Sequence, residues 1–152
     1  MKTRILFVCL GNICRSPTAE GVVRARADRA GLELVLDSAG TGSWHINAPP
    51  CPGMVRAAAD RGYDIAGLRA RLITPRDFDA FDLIVAMDSD NLDDIADVRP
   101  QTARADVRLF TDYAPEAGVR DVPDAYFTKD YEGALTLIET CATGLVAALA
   151  RP

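Results

Sequence analysis

A chain of 152 residues, 49% hydrophobic and 26% charged, is long enough to bury one substantial core and too short for two. Its formal net charge of -5 argues against nucleic acid as the main partner, because a phosphate backbone recruits basic surfaces. The longest apolar run near the start, Ile5 to Leu10, falls far short of a membrane span and lacks a signal-peptide cleavage pattern, so a cytoplasmic protein with no membrane partner is expected, with export by an unconventional route left open.

Ile5-Leu6-Phe7-Val8 is a continuous apolar run ending in Gly11-Asn12, as in a strand covered on both faces. Ser16-Pro17 then opens a helix, with serine at the cap, proline in the first turn and Glu20 complementing the positive helix end. That helix is expected to end at Ala30 before Gly31, and Leu34-Val35-Leu36 to form a second strand. Residues 37–53 are rich in turn formers and read as a long loop of the kind that carries function. A helix over 52–61, a short helix begun by Thr74-Pro75, a strand over 83–86, a helix over 91–98, a strand over 107–109 and a final helix over 131–149 complete the chain. Alternating strands and helices predict a single α/β domain with a parallel sheet covered by helices on both faces. Ligands of such sheets bind at the carboxyl ends of the strands.

The segment Cys9-Leu10-Gly11-Asn12-Ile13-Cys14-Arg15-Ser16 sits at that end of the first strand. Gly11 and Asn12 tolerate left-handed backbone, so the loop can curl with successive N–H groups pointing inward. The helix that follows adds its free N–H groups and positive dipole end. Such a cradle suits a tetrahedral dianion, and Arg15 can close it with a bidentate grip. Cys9 lies at the base, where a field that favours phosphate also favours a thiolate nucleophile. Zinc would need about four ligands, and four scattered cysteines with the single His45 provide no close pair at metal-ligand spacing. The same lack of pattern fits free thiols in a reducing compartment better than a disulfide framework. No metal and no cofactor is expected.

These residues resemble the phosphate-binding loop of the low-molecular-weight protein tyrosine phosphatases, whose pattern is Cys, five residues, Arg, Ser. The resemblance continues through DSAGTGSWH, DFDAFDLIVAMDSDNL and VPDAYF, in the expected order over most of the chain. It implies a four-stranded parallel sheet and hydrolysis of phosphotyrosine through a phosphocysteine. It also implies that Cys9 is the nucleophile, that Arg15 holds the phosphoryl oxygens, and that Ser16 donates to the departing cysteine sulfur. By the same resemblance Leu10, Gly11, Asn12, Ile13 and Cys14 are expected to form the substrate loop. Asp124 matches the family's general acid, although Ala125 stands where relatives carry proline, a change expected to loosen the loop. Asp121 is the rival carboxylate.

Trp44, Tyr126 and Phe127 resemble the aromatic walls of the family's phosphotyrosine slot, and His45 beside them is a candidate for tuning peptide choice. Relatives acting on phosphoarginine have threonine in place of Ile13. Asn12 and Ser38 match a network that steadies the loop, but Leu68 replaces its histidine, so a reduced network is expected. In relatives the second loop cysteine can form a reversible disulfide with the nucleophile, which makes Cys14 either a redox guard or a packing residue. Cys51 and Cys141 read as a loop thiol and a helix-packing residue. The resemblance implies a phosphotyrosine protein as substrate, with a tyrosine kinase one candidate. An arsenate reductase of the same fold needs a further cysteine pair that Cys51 and Cys141 do not form in sequence. A phosphocarrier or silent binding module would not need Arg15 and Asp124 together.

Overall fold

The computed structural model describes residues 2–151. Four strands, β1 (Thr3–Cys9), β2 (Leu34–Gly40), β3 (Leu83–Ala86) and β4 (Asp106–Leu109), form one parallel sheet in the order β2-β1-β3-β4. The helices are α1 (Arg15–Ala30), α2 (Pro52–Asp60), α3 (Asp77–Ala80), α4 (Ser89–Val98), α5 (Ala125–Thr128) and α6 (Tyr131–Ala150). β1 is central, which explains its unbroken apolar run: Ile5, Phe7 and Cys9 face one core, Leu6 and Val8 the other.

The larger core lies beneath α1, α2 and α6, where Phe7 meets Phe110 edge-on at 5.6 Å. Its buried aliphatic and aromatic side chains each contribute about 1.5–3 kcal/mol. The smaller core packs Phe78 of α3 and Ile95 of α4 against Leu6, Val8 and Ile84. Among the described residues α6 is the one helix long and apolar enough to cross a membrane by composition. Here Leu135, Ile138, Cys141, Ala142 and Leu145 are buried, so its apolar character serves the larger core.

Several boundaries differ from expectation for local reasons. α1 begins at Arg15 with Cys14 in the cap position, so Ser16 lies inside the first turn and its hydroxyl is directed elsewhere. α4 begins at Ser89 because Asp88 caps it: its carboxylate accepts the Asn91 N–H at 2.8 Å, and the Asn91 side chain accepts the Asp88 N–H at 3.1 Å. α3 starts at Asp77, whose carboxylate accepts the Thr74 N–H at 2.8 Å. Two 3-10 segments, Phe110–Tyr113 and Pro115–Ala117, and the single turn of α5 have no periodic signal to announce them.

Candidate active site

The loop between β1 and α1 curls because its carbonyls are claimed from outside. Those of Cys9 and Leu10 accept the N–H groups of Thr41 and Gly42 at 3.0 and 2.9 Å. The Ile13 carbonyl accepts from Cys51 N–H at 2.7 Å, and that of Cys14 from the Thr18 hydroxyl at 2.6 Å. Carbonyls drawn outward leave the loop's amides to face inward, the geometry of an anion nest. Asn12 takes the left-handed conformation at φ 56°, whereas Gly11 does not. Glycine is suited to position 11 for a different reason: a Cβ there would lie 3.0 Å from the His45 ring. Gly40 is constrained more tightly, since its Cβ would lie 2.8 Å from the Leu10 carbonyl.

Inside the curl, Cys9 Sγ lies 3.3 Å from the Asn12 N–H donor and 3.0 Å from the Ser16 hydroxyl. Asn12 Nδ2 donates to that hydroxyl oxygen at 2.8 Å, which leaves the Ser16 proton available to the sulfur. The same amide donates to Ser38 at 2.9 Å, and its oxygen accepts the Arg71 N–H at 2.9 Å. The loop support is therefore complete at both ends of Asn12 without a histidine, and Leu68 instead packs against the larger core. Arg71 is itself fixed between Asp37 and Asp77, at 3.1 and 3.0 Å.

Arg15 is 2% exposed. Its Nη1 donates to Asp88 at 2.6 Å and to the Val122 carbonyl at 3.0 Å, while Nη2 meets Asp124 at 3.3 Å. Burial alone would lower its pKa, but Cys9, Asp88 and Asp124 outweigh that and raise it, so the cation is permanent. Its Nε is buried without a partner among the described residues. An unpaired buried donor on a permanent cation is costly unless something anionic meets it.

Asp124 caps α5 by accepting the Tyr126 N–H at 3.1 Å, and it lines one cavity of about 370 Å³ together with Cys9, Ile13, Cys14, Trp44 and Tyr126. Trp44 is 72% and Phe127 69% exposed, so both stand at the rim rather than in the core. His45 packs on Tyr126 at 5.7 Å between ring centroids. Asp121 is elsewhere, accepting from the Ser89 N–H and hydroxyl at 2.9 and 2.8 Å. The structure thus brings Cys9, Arg15, Ser16, Asp124, Trp44 and Tyr126 to one place. Asp88, the Val122 carbonyl and Arg71 belong to the site as well; of these only Asp88 had a readable signal, the Asp-x-x-Asn cap after β3.

The family model for low molecular weight phosphotyrosine protein phosphatases matches residues 4–152. A low molecular weight protein-tyrosine-phosphatase of Bacillus subtilis is 39% identical over 147 residues, covering 95% of this chain and 94% of the relative. The low molecular weight phosphotyrosine protein phosphatase of Schizosaccharomyces pombe is 46% identical over 127 residues, covering 82% and 81%. The crystal structure of a protein tyrosine phosphatase from Entamoeba histolytica, with Hepes in its active site, superimposes with a TM-score of 0.92 at 32% identity, covering 97% of each chain.

Proposed function

The chain belongs to the low molecular weight phosphotyrosine protein phosphatase family, and from that membership we propose that it hydrolyses phosphotyrosine through a phosphocysteine on Cys9. The observation that carries this reading is the pairing of a nested cysteine with the buried, partly unpartnered Arg15. A phosphoryl oxygen supplies the partner that Arg15 Nε lacks, and the inward amides take the remaining oxygens.

In the first step Cys9 sulfur attacks phosphorus and the bond to the phenolic oxygen breaks. Asp124 gives that oxygen its proton, which neutralises the leaving phenolate. Asp124 then removes a proton from water as the water attacks the phosphocysteine. The Cys9 thiolate departs into the hydrogen bonds of Asn12 and Ser16. Exposed Trp44 and Tyr126 flank the cavity and suit a flat aryl group, and Ile13 places an apolar side chain where a guanidino phosphate would want a polar one.

The substrate is accordingly a phosphotyrosine protein, with a tyrosine kinase one candidate. Four free cysteines support a cytoplasmic setting. Hydrolysis of an aryl phosphate, phosphoserine and phosphoarginine side by side tests the reading, with Cys9→Ser as control. Turnover of the aryl phosphate alone, abolished in the variant, is expected; equal turnover of all three, or a fully active variant, would refute it.

A further inference from the structure

Cys51 has no place in the proposed chemistry, yet it sits behind the catalytic loop. Its N–H donates to the Ile13 carbonyl at 2.7 Å, one residue before Cys14. That bond brings the Cys51 backbone alongside the Ile13–Cys14 peptide. Cys14 is 2% and Cys51 8% exposed, and both belong to the larger core. Each thiol is the strongest single influence on the acidity of the other.

The pair is asymmetric. The neighbouring Cys51, then burial, push the Cys14 thiol well up, and Cys9 adds to the effect. The neighbouring Cys14 lowers Cys51 against its own burial, helped by backbone N–H groups at the start of α2. Cys51 is therefore the sulfur of the pair that carries thiolate character. Cys14 in turn lines the same cavity as Cys9, which Cys51 does not.

We propose that Cys51 is a resolving thiol that releases Cys9 from oxidation by moving a disulfide to Cys14–Cys51. The inference rests on Cys9 as the reactive thiolate of the proposed phosphatase, and the oxidant is a hydroperoxide such as hydrogen peroxide. Cys9 thiolate attacks a peroxide oxygen, the O–O bond breaks and hydroxide leaves, becoming water with the proton that the Cys51 thiol releases to solvent, and Cys9 is left as a sulfenic acid. Cys14 sulfur attacks the Cys9 sulfur, the S–O bond breaks, the departing hydroxyl takes the Cys14 thiol proton and leaves as a second water, and the Cys9–Cys14 bond forms. Cys51 thiolate then attacks Cys14 sulfur, and the Cys9 thiolate leaves. The net change is oxidation of the two thiols of Cys14 and Cys51 to one disulfide and reduction of one peroxide to two waters.

Geometry and leaving-group chemistry favour the last step. Cys51 adjoins Cys14, and the expelled Cys9 thiolate is received by the Asn12 N–H and the Ser16 hydroxyl. A stabilised thiolate is the faster leaving group. The oxidised protein keeps its nucleophile and stores the bridge in the core behind the loop.

The test is to treat the full-length protein with equimolar hydrogen peroxide, alkylate the remaining thiols and map the linked peptides by mass spectrometry, with turnover measured before and after. Wild type is expected to end with a Cys14–Cys51 link, Cys9 alkylated, and turnover largely retained. Cys51→Ser, whose serine suits the same helix cap, is expected to turn over normally when reduced, to end with a Cys9–Cys14 link, and to lose turnover until a thiol reductant is added. Cys141→Ser should behave as wild type. A wild-type map showing Cys9–Cys14 as the end state overturns the proposal, as does sulfinic acid on Cys9 with Cys14 and Cys51 both alkylated. If the reduced wild type shows no aryl phosphate turnover before peroxide is added, the phosphatase reading has failed instead, and the peptide map still reports whether the Cys14–Cys51 bridge forms.

Discussion

Asp88 Oδ2 stands 2.6 Å from Arg15 Nη1, tying the start of α4 to the end of the phosphate loop. One carboxylate thus caps a helix with one oxygen and orients the phosphate-gripping cation with the other. The buried guanidinium cannot turn to meet water, so its aim depends on the groups that hold it. Asp88 is a positioning residue.

Asp88→Asn separates its two duties, because asparagine caps a helix about as well as aspartate. The charge-assisted bond to Arg15 is weakened, and such bonds contribute about 1.5–3 kcal/mol. We expect the inhibition constant of inorganic phosphate and the KM for an aryl phosphate to rise roughly 10-fold or more, with little change in thermal midpoint. Steady-state kinetics with phosphate as competitor checks this. An unchanged phosphate constant would remove Asp88 from the site.

Asp124→Asn keeps the cap on α5 and removes the transferable proton. The rate on phenyl phosphate should fall by about 10²–10⁴, as for loss of a general acid. The loss should be smaller on para-nitrophenyl phosphate, whose leaving group needs less help. Equal losses on the two esters would mean that Asp124 acts on something other than the leaving oxygen.

Position 125 tests the expected loosening of that loop. Asp124 is held by the cap to Tyr126 and the contact with Arg15, so the loop is tied without proline. Asp124 has φ -84° and ψ 100°, an extended conformation of the kind that precedes proline, and Ala125 is the first residue of α5, where proline's missing N–H costs nothing. Ala125→Pro should therefore stabilise by about 0.4–1 kcal/mol, chiefly through the unfolded chain. Denaturant unfolding measures it, and a loss of stability would show that buried Ala125 has no room for the ring.

Much of this was legible because β1 and its loop write their chemistry locally. A two-sided apolar strand, a left-handed Asn12, and Cys9 and Arg15 in one segment announce a nest without any knowledge of distant residues. The helix boundary at Ser16 was misread since a serine beside proline suits a cap, whereas here its hydroxyl is claimed by Cys9 and Asn12. Asp88, Val122 and Arg71 join the site through contacts 59 to 107 residues apart; a local pattern marks Asp88 as a helix cap, and none marks its contact with Arg15 or the other two contacts. Cys51 is the same case: it comes alongside Cys14 only after residues 41–51 fold back over the loop.

Glu20 supplies a pH-dependent test of the support beneath the loop. Its side chain is buried on α1, and that burial raises its pKa above the usual 4.5, opposed by hydrogen bonds from Ser38 and Arg24. The Arg24 partner is half exposed, so its salt bridge offsets little of the cost. A carboxyl with a raised native pKa holds its proton longer in the folded state than in the unfolded one. Between about 4.5 and the native value the folded state binds more protons, and stability falls as pH rises through that window. Glu20→Gln keeps a hydrogen-bonding side chain toward Ser38, which braces Asn12, and removes the ionisation. The variant should match the wild type at acidic pH and exceed it in thermal midpoint at neutral pH. A stability difference that stays constant from pH 4.5 to 7 would show that the Glu20 carboxylate carries no such penalty.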